Sequence, residues 1–475
     1  MSATSLLKQL RKAVGKKHVL TDPASLLAYE SDALTLFRSK PLAVVLPHSE
    51  KEVVACAQAL HQAQVPWAAR GAGTGLSGGA IVPPGGVVLA LARMNRILHI
   101  DPEAQFARVE PGVVNAALGR AVARFGLRFA PDPASQTVST LGGNLAENAG
   151  GPQCFLHGTT SNHVLSVRHV LADGKVEEWG TEMGVSRGLD LRGFFAGSEG
   201  TVGVAVAMDL KLIPTPESIS TFLVGFDSVA KACQAVSAIV TTGLEPVALE
   251  VMDKTAIHAV ENSVFRAGLP LDAGAVLLVE LEGTESSVEK AAAATEKILK
   301  TFQPMSFENA QTPQARTALW KGRKGAGGAL GRLAPDSYVM DGVVPRSKLA
   351  EVMEYVGEVQ AESNLPVANL FHAGDGNIHP HFSYDGRDPK QCQQVELAGA
   401  KILRKCLELG GSITGEHGVG LEKQAFLLEQ FSQQEIDLME RVRQVFNPQD
   451  LLNPGKGLPM KRGCAEAFHR HGGVA

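Results

Sequence analysis

The chain has 475 residues, of which 44% are hydrophobic and 20% charged, and its formal net charge is −4 at pH 7. This length exceeds one ordinary hydrophobic core and predicts two or three domains. The chain has no long Lys or Arg run, which argues against a nucleic-acid-binding surface. It also has neither a signal-peptide core nor about 18 consecutive apolar residues, so we expect a cytoplasmic protein without a membrane span.

The pattern of elements predicts four segments in chain order. Residues 1–37 read as a polar-faced helical segment, and 38–214 as a loop-rich α+β domain in which β-branched runs alternate with helices and glycine turns. The prolines of "IPTPES" predict a boundary at 214/215. Two strand–helix units then predict a compact sheet covered by helices within 215–425. Residues 426–475 read as a C-terminal segment that closes the chain.

A glycine-rich loop follows the strand "VPWAAR". Residues 70–79, "RGAGTGLSGG", contain GxGxxG, but the continuation "AIVPPGGVVLAL" excludes the helix that a nicotinamide site requires. Such a loop can present backbone N–H groups to an anion, with Arg70 as a positive charge at its mouth. A plain glycine turn is the alternative.

A second stretch of small residues favours the binding interpretation. Residues 131–151, "PDPASQTVSTLGGNLAENAGG", combine hydroxyl and amide side chains with glycines that let backbone lie against a flat ligand. We predict that both stretches are loops, and one extended phosphate-bearing cofactor held by both explains them more economically than two unrelated turns.

The stretch "ANLFHAGDGNIHPHF" (368–382) concentrates histidines around a predicted hairpin turn. In this hairpin His372 and His379 can face one another, but strand alternation puts His379 and His381 on one face, so geometry alone does not choose between them. Pro380 marks an edge or rim position.

Carboxylates usually accompany histidines at a metal ion, and "GGSITGEHGVGLEK" supplies Glu416. Two histidines and one carboxylate leave open coordination positions, as a catalytic site requires. The alternative is a set of hydrogen-bonded core histidines at glycine turns. The glycines around Glu416 and His417 permit a bend that would point these two neighbours toward different groups.

Seven motifs together carry a family resemblance that extends from about residue 20 to about residue 460: "RGAGTGLSGG", "PDPASQ", "LGGNLAENAGG", "GSEGTVG", "GRKGAGGALGRLAPDSYVMDGVVPR", "FHAGDGNIHP" and "LLNPGK". They resemble FAD-linked oxidases of the vanillyl-alcohol-oxidase, or p-cresol-methylhydroxylase (PCMH), type. The most similar groups are the FAD-binding D subunits of bacterial glycolate oxidases and the D-lactate and D-2-hydroxyglutarate dehydrogenases.

The resemblance implies an α+β architecture: a PCMH-type FAD-binding domain, a substrate or cap domain, and a C-terminal segment that returns to the flavin domain. Thr74 stands where covalent members have histidine, which implies non-covalent FAD. The implied cofactor-binding residues are Arg70, Gly71, Ala72, Gly73, Thr74, Gly75, Ser77, Gly78, Pro131, Asp132, Ser135, Thr140, Gly142, Gly143, Asn144, Asn148, Gly150, Gly151, Glu199, Gly203 and Asn453.

The resemblance also implies a metal-assisted oxidation. Its metal ligands correspond to His372, His379 and Glu416, the ion being Zn, Mn or Fe, and His417 corresponds to the catalytic base. His381 lies outside the motif. The ion would lower the pKa of a 2-hydroxy acid's hydroxyl, His417 would take the proton, and the α-hydrogen would leave as hydride to the flavin.

Arg323 corresponds to the anchor for the substrate carboxylate, since guanidinium can form two hydrogen bonds with it. A solvated basic loop is the alternative. D-2-hydroxyglutarate dehydrogenases carry a lysine shortly before the aspartate that matches Asp341, whereas this chain reads "YVMDG". A small monocarboxylate, glycolate or D-lactate, therefore fits better.

An external electron acceptor is expected, because the six cysteines lie singly, without a CxxC pair for an iron–sulfur cluster. The resemblance implies a second flavin-fold subunit and an iron–sulfur subunit, and a peripheral association with the inner membrane through them. Two functions of other classes are the alternatives: a flavin-free metal hydrolase, and an electron-relay subunit that binds FAD but no substrate.

Overall fold

A computed structural model describes residues 1–185, 188–310, 312–459 and 469–470. The helices are α1 (Ala3–Val14), α2 (Pro23–Leu27), α3 (Glu50–Ala63), α4 (Asn115–Val122), α5 (Leu141–Glu147), α6 (Cys154–His157), α7 (Leu191–Phe195), α8 (Val229–Thr241), α9 (Lys254–Glu261), α10 (Glu285–Thr301), α11 (Pro313–Leu330), α12 (Leu349–Ser363), α13 (Pro389–Glu408), α14 (Leu427–Gln430) and α15 (Gln433–Phe446). Among the described residues, no helix is long and apolar enough to cross a bilayer.

The strands are β1 (Val19–Leu20), β2 (Phe37–Arg38), β3 (Ala43–Val45), β4 (Trp67–Arg70), β5 (Val87–Ala90), β6 (Ile97–Asp101), β7 (Phe106–Val109), β8 (Leu127–Arg128), β9 (Val164–Val170), β10 (Val176–Gly180), β11 (Val204–Lys211), β12 (Ile213–Pro214), β13 (Ser218–Phe226), β14 (Ala248–Asp253), β15 (Ala275–Gly283), β16 (Ser306–Asn309), β17 (Asp336–Val339), β18 (Gly342–Val343), β19 (Val367–His372), β20 (Asn377–Ile378), β21 (Pro380–Tyr384) and β22 (His469–Arg470).

The chain divides into two compact units. Of the described residues, the first unit contains those in 1–150, 159–215 and 416–470, and the second contains those in 151–158 and 216–415. The sequence-based boundaries at 37/38, 214/215 and 425/426 stay predictions about domains. The loop that carries Glu416 and His417 belongs to the first unit.

Two sheets form the framework of the first unit. One has the order β1-β3-β5-β4, with β3 and β4 parallel to β5, and the other has the antiparallel order β10-β9-β11-β7-β6. The N-cap of helix α3 is Ser49, whose hydroxyl accepts the Glu52 N–H, and its C-cap Gln64 has a left-handed φ of 54°. Helices α1 and α3 bury their apolar faces in the same core as β3–β5.

The C-terminal segment returns to the glycine-loop side of this unit. Trp67 on β4 donates its N–H to Leu451 at 2.8 Å, and its carbonyl accepts the Asn453 N–H at 2.6 Å. The buried Lys456 ammonium donates to the Ile81 carbonyl at 2.6 Å. The sequence-based expectation of a returning segment is therefore met by backbone pairing with β4.

A large β-sheet forms the framework of the second unit. Its order is β16-β13-β15-β14-β19-β20-β18, while β21 pairs with β19 and with β17. Strands β14 and β15 are almost wholly buried, with α8 and α10 packed on the sheet, as the two strand–helix units predicted.

Two local predictions need correction. The helical interpretation of the N-terminal segment holds for α1 and α2. Val19 and Leu20, however, form strand β1, which pairs with β3 and places Val19 in the hydrophobic core. The second small-residue stretch is not wholly a loop: Thr140 caps α5 by accepting the Gly143 N–H at 3.3 Å, which allows a helix despite two glycines.

Candidate functional site

The glycine loop follows β4 in the first unit and contains no helix, as predicted. Gly73 and Gly78 adopt φ values of 73° and 77°, a left-handed region that favours glycine. Arg70 lies beneath this loop rather than at its mouth. Its guanidinium donates to the carbonyls of Ser31 at 2.8 Å and Ala28 at 3.3 Å. These hydrogen bonds hold the preceding segment against the loop. Burial lowers the pKa of Arg70.

The predicted loop and α5 line one cavity within the first unit. The cofactor candidates that line it are Gly71, Ala72, Gly73, Thr74, Gly75, Ser135, Thr140, Gly142, Gly143, Asn144, Gly150, Glu199, Gly203 and Asn453. Six other candidates belong to this unit but do not line the cavity: Arg70, Ser77, Gly78, Pro131, Asp132 and Asn148. Gly151 belongs to the second unit.

Four of those six residues make structural contacts within the first unit. Ser77 is fully buried and accepts the Leu421 N–H at its carbonyl, while the Pro131 carbonyl accepts an Asn115 amide proton at 3.0 Å. Gly78 packs against Leu421, and Asn148 caps α5 with a φ of 54°. The roles of all six in cofactor binding stay predictions.

The cavity fits a flat polar cofactor. Asn144 Nδ2 and Ser139 Oγ are buried and have no hydrogen-bond partner among the described residues, and both residues line the cavity. Buried polar atoms normally have partners, so these atoms point to a ligand. A Cβ added at Gly75, on the facing loop, would have no neighbour within 4 Å. There is therefore open space against that loop.

Three buried acids and one lysine cluster beside the cavity. Burial raises the pKa of Asp32 to about 6, against the opposing effects of the Leu34 N–H, Arg70 and Lys456. Burial, and then the neighbouring Glu199 carboxylate, raise the pKa of Glu147 well above its usual value. Burial lowers the pKa of Lys456 to about 8. Burial thus disfavours the charged form of Asp32, Glu147 and Lys456 alike.

The loop from Glu416 to Gly420 brings two predicted site residues to the same cavity. Both Glu416 and His417 line it. The bend expected from the glycines is present, because Gly418 and Gly420 have φ values of 87° and 51°. The candidate base therefore shares a cavity with the candidate cofactor-binding residues.

The two hairpin histidines meet in the second unit. Strand β19 ends at His372, which pairs with Asn377 across the turn, and the rings of His372 and His379 lie 5.2 Å apart at nearly a right angle. His381 lies within β21, opposite Ala368 on β19 and Val339 on β17. Strand β21 is therefore not an edge strand, although Pro380 is its first residue.

Hydrogen bonds fix the tautomer of both rings. Nδ1 of His379 lies 3.0 Å from the Met340 carbonyl, an acceptor, so Nδ1 carries the proton. Nδ1 of His372 lies 2.7 Å from Glu250 Oε1. Burial acts to raise the pKa of Glu250, but Arg323 and His372 outweigh it and lower this pKa, so the carboxylate also accepts. When such a ring is neutral, its lone pair lies on Nε2, the second nitrogen through which an imidazole can ligate a metal ion.

Arg323 lies on α11 and is only 4% exposed, so the solvated-loop alternative is wrong. Its guanidinium forms an ion pair with Glu250. Its Nε is buried and has no hydrogen-bond partner in the described part of the chain. Arg323 thus retains a donor for a ligand, and its role as the carboxylate anchor stays a prediction.

Glu250, Asp32, Glu147 and Lys456 were missed as site residues by sequence reasoning. Glu250 had a signal, since a glutamate inside the apolar run "PVALEVMD" implies a buried partner. Lys456 ends the quoted motif "LLNPGK". Glu147 lies inside the quoted motif "LGGNLAENAGG", whereas Asp32 lies outside the quoted motifs.

The matches to known proteins decide the family. Residues 41–180 match the model of an FAD binding domain, and residues 215–457 match the C-terminal domain of FAD linked oxidases. The chain is 43% identical over 472 residues to glycolate oxidase subunit GlcD of Escherichia coli K12, a match that covers 99% of this chain and 94% of the relative. The chain belongs to the FAD-linked oxidase family.

This family membership confirms the resemblance drawn from the motifs and identifies an FAD-binding oxidoreductase. The chain is also 31% identical to a D-lactate dehydrogenase of Anaerostipes hadrus, over 94% of this chain and 95% of the relative. A solved p-cresol methylhydroxylase shares the fold, with a TM-score of 0.82 at 16% identity, over 96% of this chain and 97% of that one. The predicted PCMH-type fold is confirmed.

Proposed function

We propose that this FAD-linked oxidase dehydrogenates a small 2-hydroxy acid, glycolate or D-lactate, to the 2-oxo acid. The observation that carries the proposal is that His417 lines the same cavity as the glycine loop and α5. A base at that place can take the hydroxyl proton of a substrate that lies against the flavin. The names of the relatives GlcD and D-lactate dehydrogenase support the same substrate class.

FAD, held without a covalent bond since Thr74 replaces histidine, would supply the hydride acceptor. The glycine loop and α5 bind it, with Asn144 and Ser139 as donors from the cavity wall. His417 removes the proton from the substrate hydroxyl. The predicted anchor Arg323 holds the substrate carboxylate through its buried Nε.

We further propose that His372, His379 and Glu416 bind a divalent ion, Zn, Mn or Fe. The support is the donor chemistry: each histidine donates Nδ1–H to an oxygen, the arrangement typical of metal-ligating imidazoles. Such an ion would lower the pKa of the substrate hydroxyl.

The reduced flavin requires an acceptor outside this chain. We propose a second flavin-fold subunit and an iron–sulfur subunit as partners, because the relative GlcD is named as a subunit of glycolate oxidase. A cytoplasmic location, with peripheral attachment to the inner membrane through these subunits, stays a prediction.

An anaerobic titration tests the substrate class. Glycolate, D-lactate and D-2-hydroxyglutarate are added separately to the yellow protein, and the flavin absorbance is followed. We expect one of the two monocarboxylates to bleach the flavin faster than the dicarboxylate. Bleaching by D-2-hydroxyglutarate alone would contradict the proposed substrate size, and no bleaching by any of the three would contradict the proposed activity.

A further inference from the structure

Glu199 has an unusual place in the cavity wall. It is 6% exposed, and its backbone has a left-handed φ of 52°, which is costly for a residue with a side chain. Two bonds hold this conformation: its N–H donates to the Ala146 carbonyl at 2.8 Å, and its carbonyl accepts an Asn453 amide proton at 2.6 Å. The fold therefore fixes where this carboxylate points.

Both oxygens of that carboxylate are bonded to the loop that follows His417. Oε1 accepts the Val419 N–H at 2.7 Å, and Oε2 accepts the Gly420 N–H at 2.8 Å. Both carboxylate oxygens therefore accept hydrogen bonds from the protein's own backbone. Burial raises the pKa of Glu199, while these two N–H groups act in the opposite direction and favour the ionised carboxylate.

The space around Gly418 shows how closely the loop fits. A Cβ there would lie 2.9 Å from Glu147 Oε2 and 3.0 Å from Glu199 Oε1, and the φ of Gly418 is 87°. Three residues on, Leu421 donates its N–H to the Ser77 carbonyl at 2.8 Å. The segment after His417 therefore lies close to both acids and to the glycine loop.

We propose that Glu199 is a positioning residue, which clamps Val419 and Gly420 and thereby holds His417 in the flavin cavity. This proposal rests on the proposed function of His417 as the base. It differs from the sequence-based expectation of Glu199 as a direct flavin contact. A flavin contact predicts loss of FAD on substitution, whereas a clamp predicts a loosened loop with FAD retained.

The test compares two Glu→Gln substitutions in FAD-loaded protein. In Glu199→Gln the amide NH₂ faces one of the two N–H donors, so one bond becomes a repulsion. The matched control is Glu261→Gln in the second unit. Glu261 Oε1 alone accepts the N–H groups of Ala267 and Leu269 at 2.9 and 3.0 Å, so the glutamine carbonyl can keep both bonds.

Hydrogen–deuterium exchange of the peptide over 418–424 gives the direct readout. We expect Glu199→Gln to speed exchange there about tenfold or more, with FAD content unchanged. Substrate-driven flavin reduction should slow by at least about tenfold, while reduction by dithionite is unaffected. The Glu261→Gln protein should match wild type at this peptide and in reduction rate.

Unchanged exchange in Glu199→Gln, or loss of FAD without faster exchange, would overturn the clamp. Should Glu199→Gln not fold, Glu199→Asp takes its place: one methylene shorter, it cannot reach both N–H groups, and the same exchange increase is expected. His417→Asn separates the two proposals. If that variant reduces its flavin at the wild-type rate, the base assignment fails, and the exchange result still reports on the clamp alone.

Discussion

Nδ1 of His372 lies 2.7 Å from Oε1 of the buried Glu250, and the same carboxylate forms an ion pair with Arg323. One glutamate thus connects a predicted metal ligand and a predicted substrate anchor within the second unit. Carboxylates in this position orient a ligating imidazole and raise its basicity. Glu250 therefore belongs to the candidate site through its contacts with His372 and Arg323, although it lies outside the quoted motifs.

Replacing Glu250 with Gln should weaken metal binding. The neutral amide is a poorer acceptor for Nδ1–H, and such changes typically reduce metal affinity about 10- to 100-fold. Competition with a chromophoric chelator measures this affinity. His372→Ala and His379→Ala should abolish binding, whereas His381→Asn should retain it. Metal binding that is lost in His381→Asn and kept in His379→Ala would reassign the ligand.

Removing the Glu250 charge should also destabilise the second unit, because it leaves Arg323 buried without its counter-charge. Breaking a buried ion pair costs about 3–5 kcal/mol, measured as the free energy of unfolding in urea. The double variant Glu250→Gln/Arg323→Met, which removes both charges, should recover a large part of that loss. A double variant less stable than Glu250→Gln alone would show that the pair is not the cause.

The raised pKa of Asp32 gives a pH-dependent stability. The folded protein keeps this proton up to about pH 6, whereas a model aspartate loses it near 3.8, so wild type loses stability as the pH rises between these values. Asp32→Asn removes the free-energy cost of ionising this buried carboxyl group. Its amide oxygen can keep the hydrogen bond from the Leu34 N–H. Above pH 6 it should be more stable than wild type by on the order of 2–3 kcal/mol, with no difference below pH 4.

Thermal unfolding with saturating FAD, measured at pH 4.5 and 7.5, checks this expectation. Asp101→Asn is the matched control, because Asp101 Oδ1 also accepts the N–H two residues on, at 3.0 Å, but in a surface turn. A Tm difference for Asp32→Asn that does not change with pH would contradict the assignment.

His417→Asn should lower the rate of flavin reduction by substrate about 10²- to 10⁴-fold, the usual contribution of a general base. Its FAD content should stay at the wild-type level, since asparagine retains a polar group at the cavity. Stopped-flow absorbance under anaerobic conditions measures the rate. The control His48→Asn alters a histidine with a side chain that is 56% exposed. Equal rates in His417→Asn and wild type would exclude His417 as the base.

The sequence predicted the local features whose signal lies in a few adjacent residues. The glycine loop without a helix, the hairpin that joins His372 to His379, and the bend at Gly418 all depend on turn chemistry. Helix α5 was missed because two glycines in its first turn obscured the Thr140 cap. Glycine there permits close packing, and helix propensity was overridden by tertiary contacts.

Partners that are distant in the chain could not be predicted. Glu250 precedes its partner His372 by 122 residues, and Glu199 precedes Val419 by 220. Lys456, whose pKa burial lowers, donates to the carbonyl of Ile81, which lies 375 residues earlier in the chain. Such contacts have no spacing signal in a single sequence, although the family motifs include several of the residues concerned.

The most direct test of the account is anaerobic reduction of the bound flavin by glycolate and by D-lactate, before and after treatment with a chelator. We expect that one of these acids bleaches the flavin in the untreated protein, that chelation abolishes the bleaching, and that adding back Zn, Mn or Fe restores it. Flavin that stays oxidised with both acids in metal-loaded protein, yet is bleached by dithionite, would contradict this expectation.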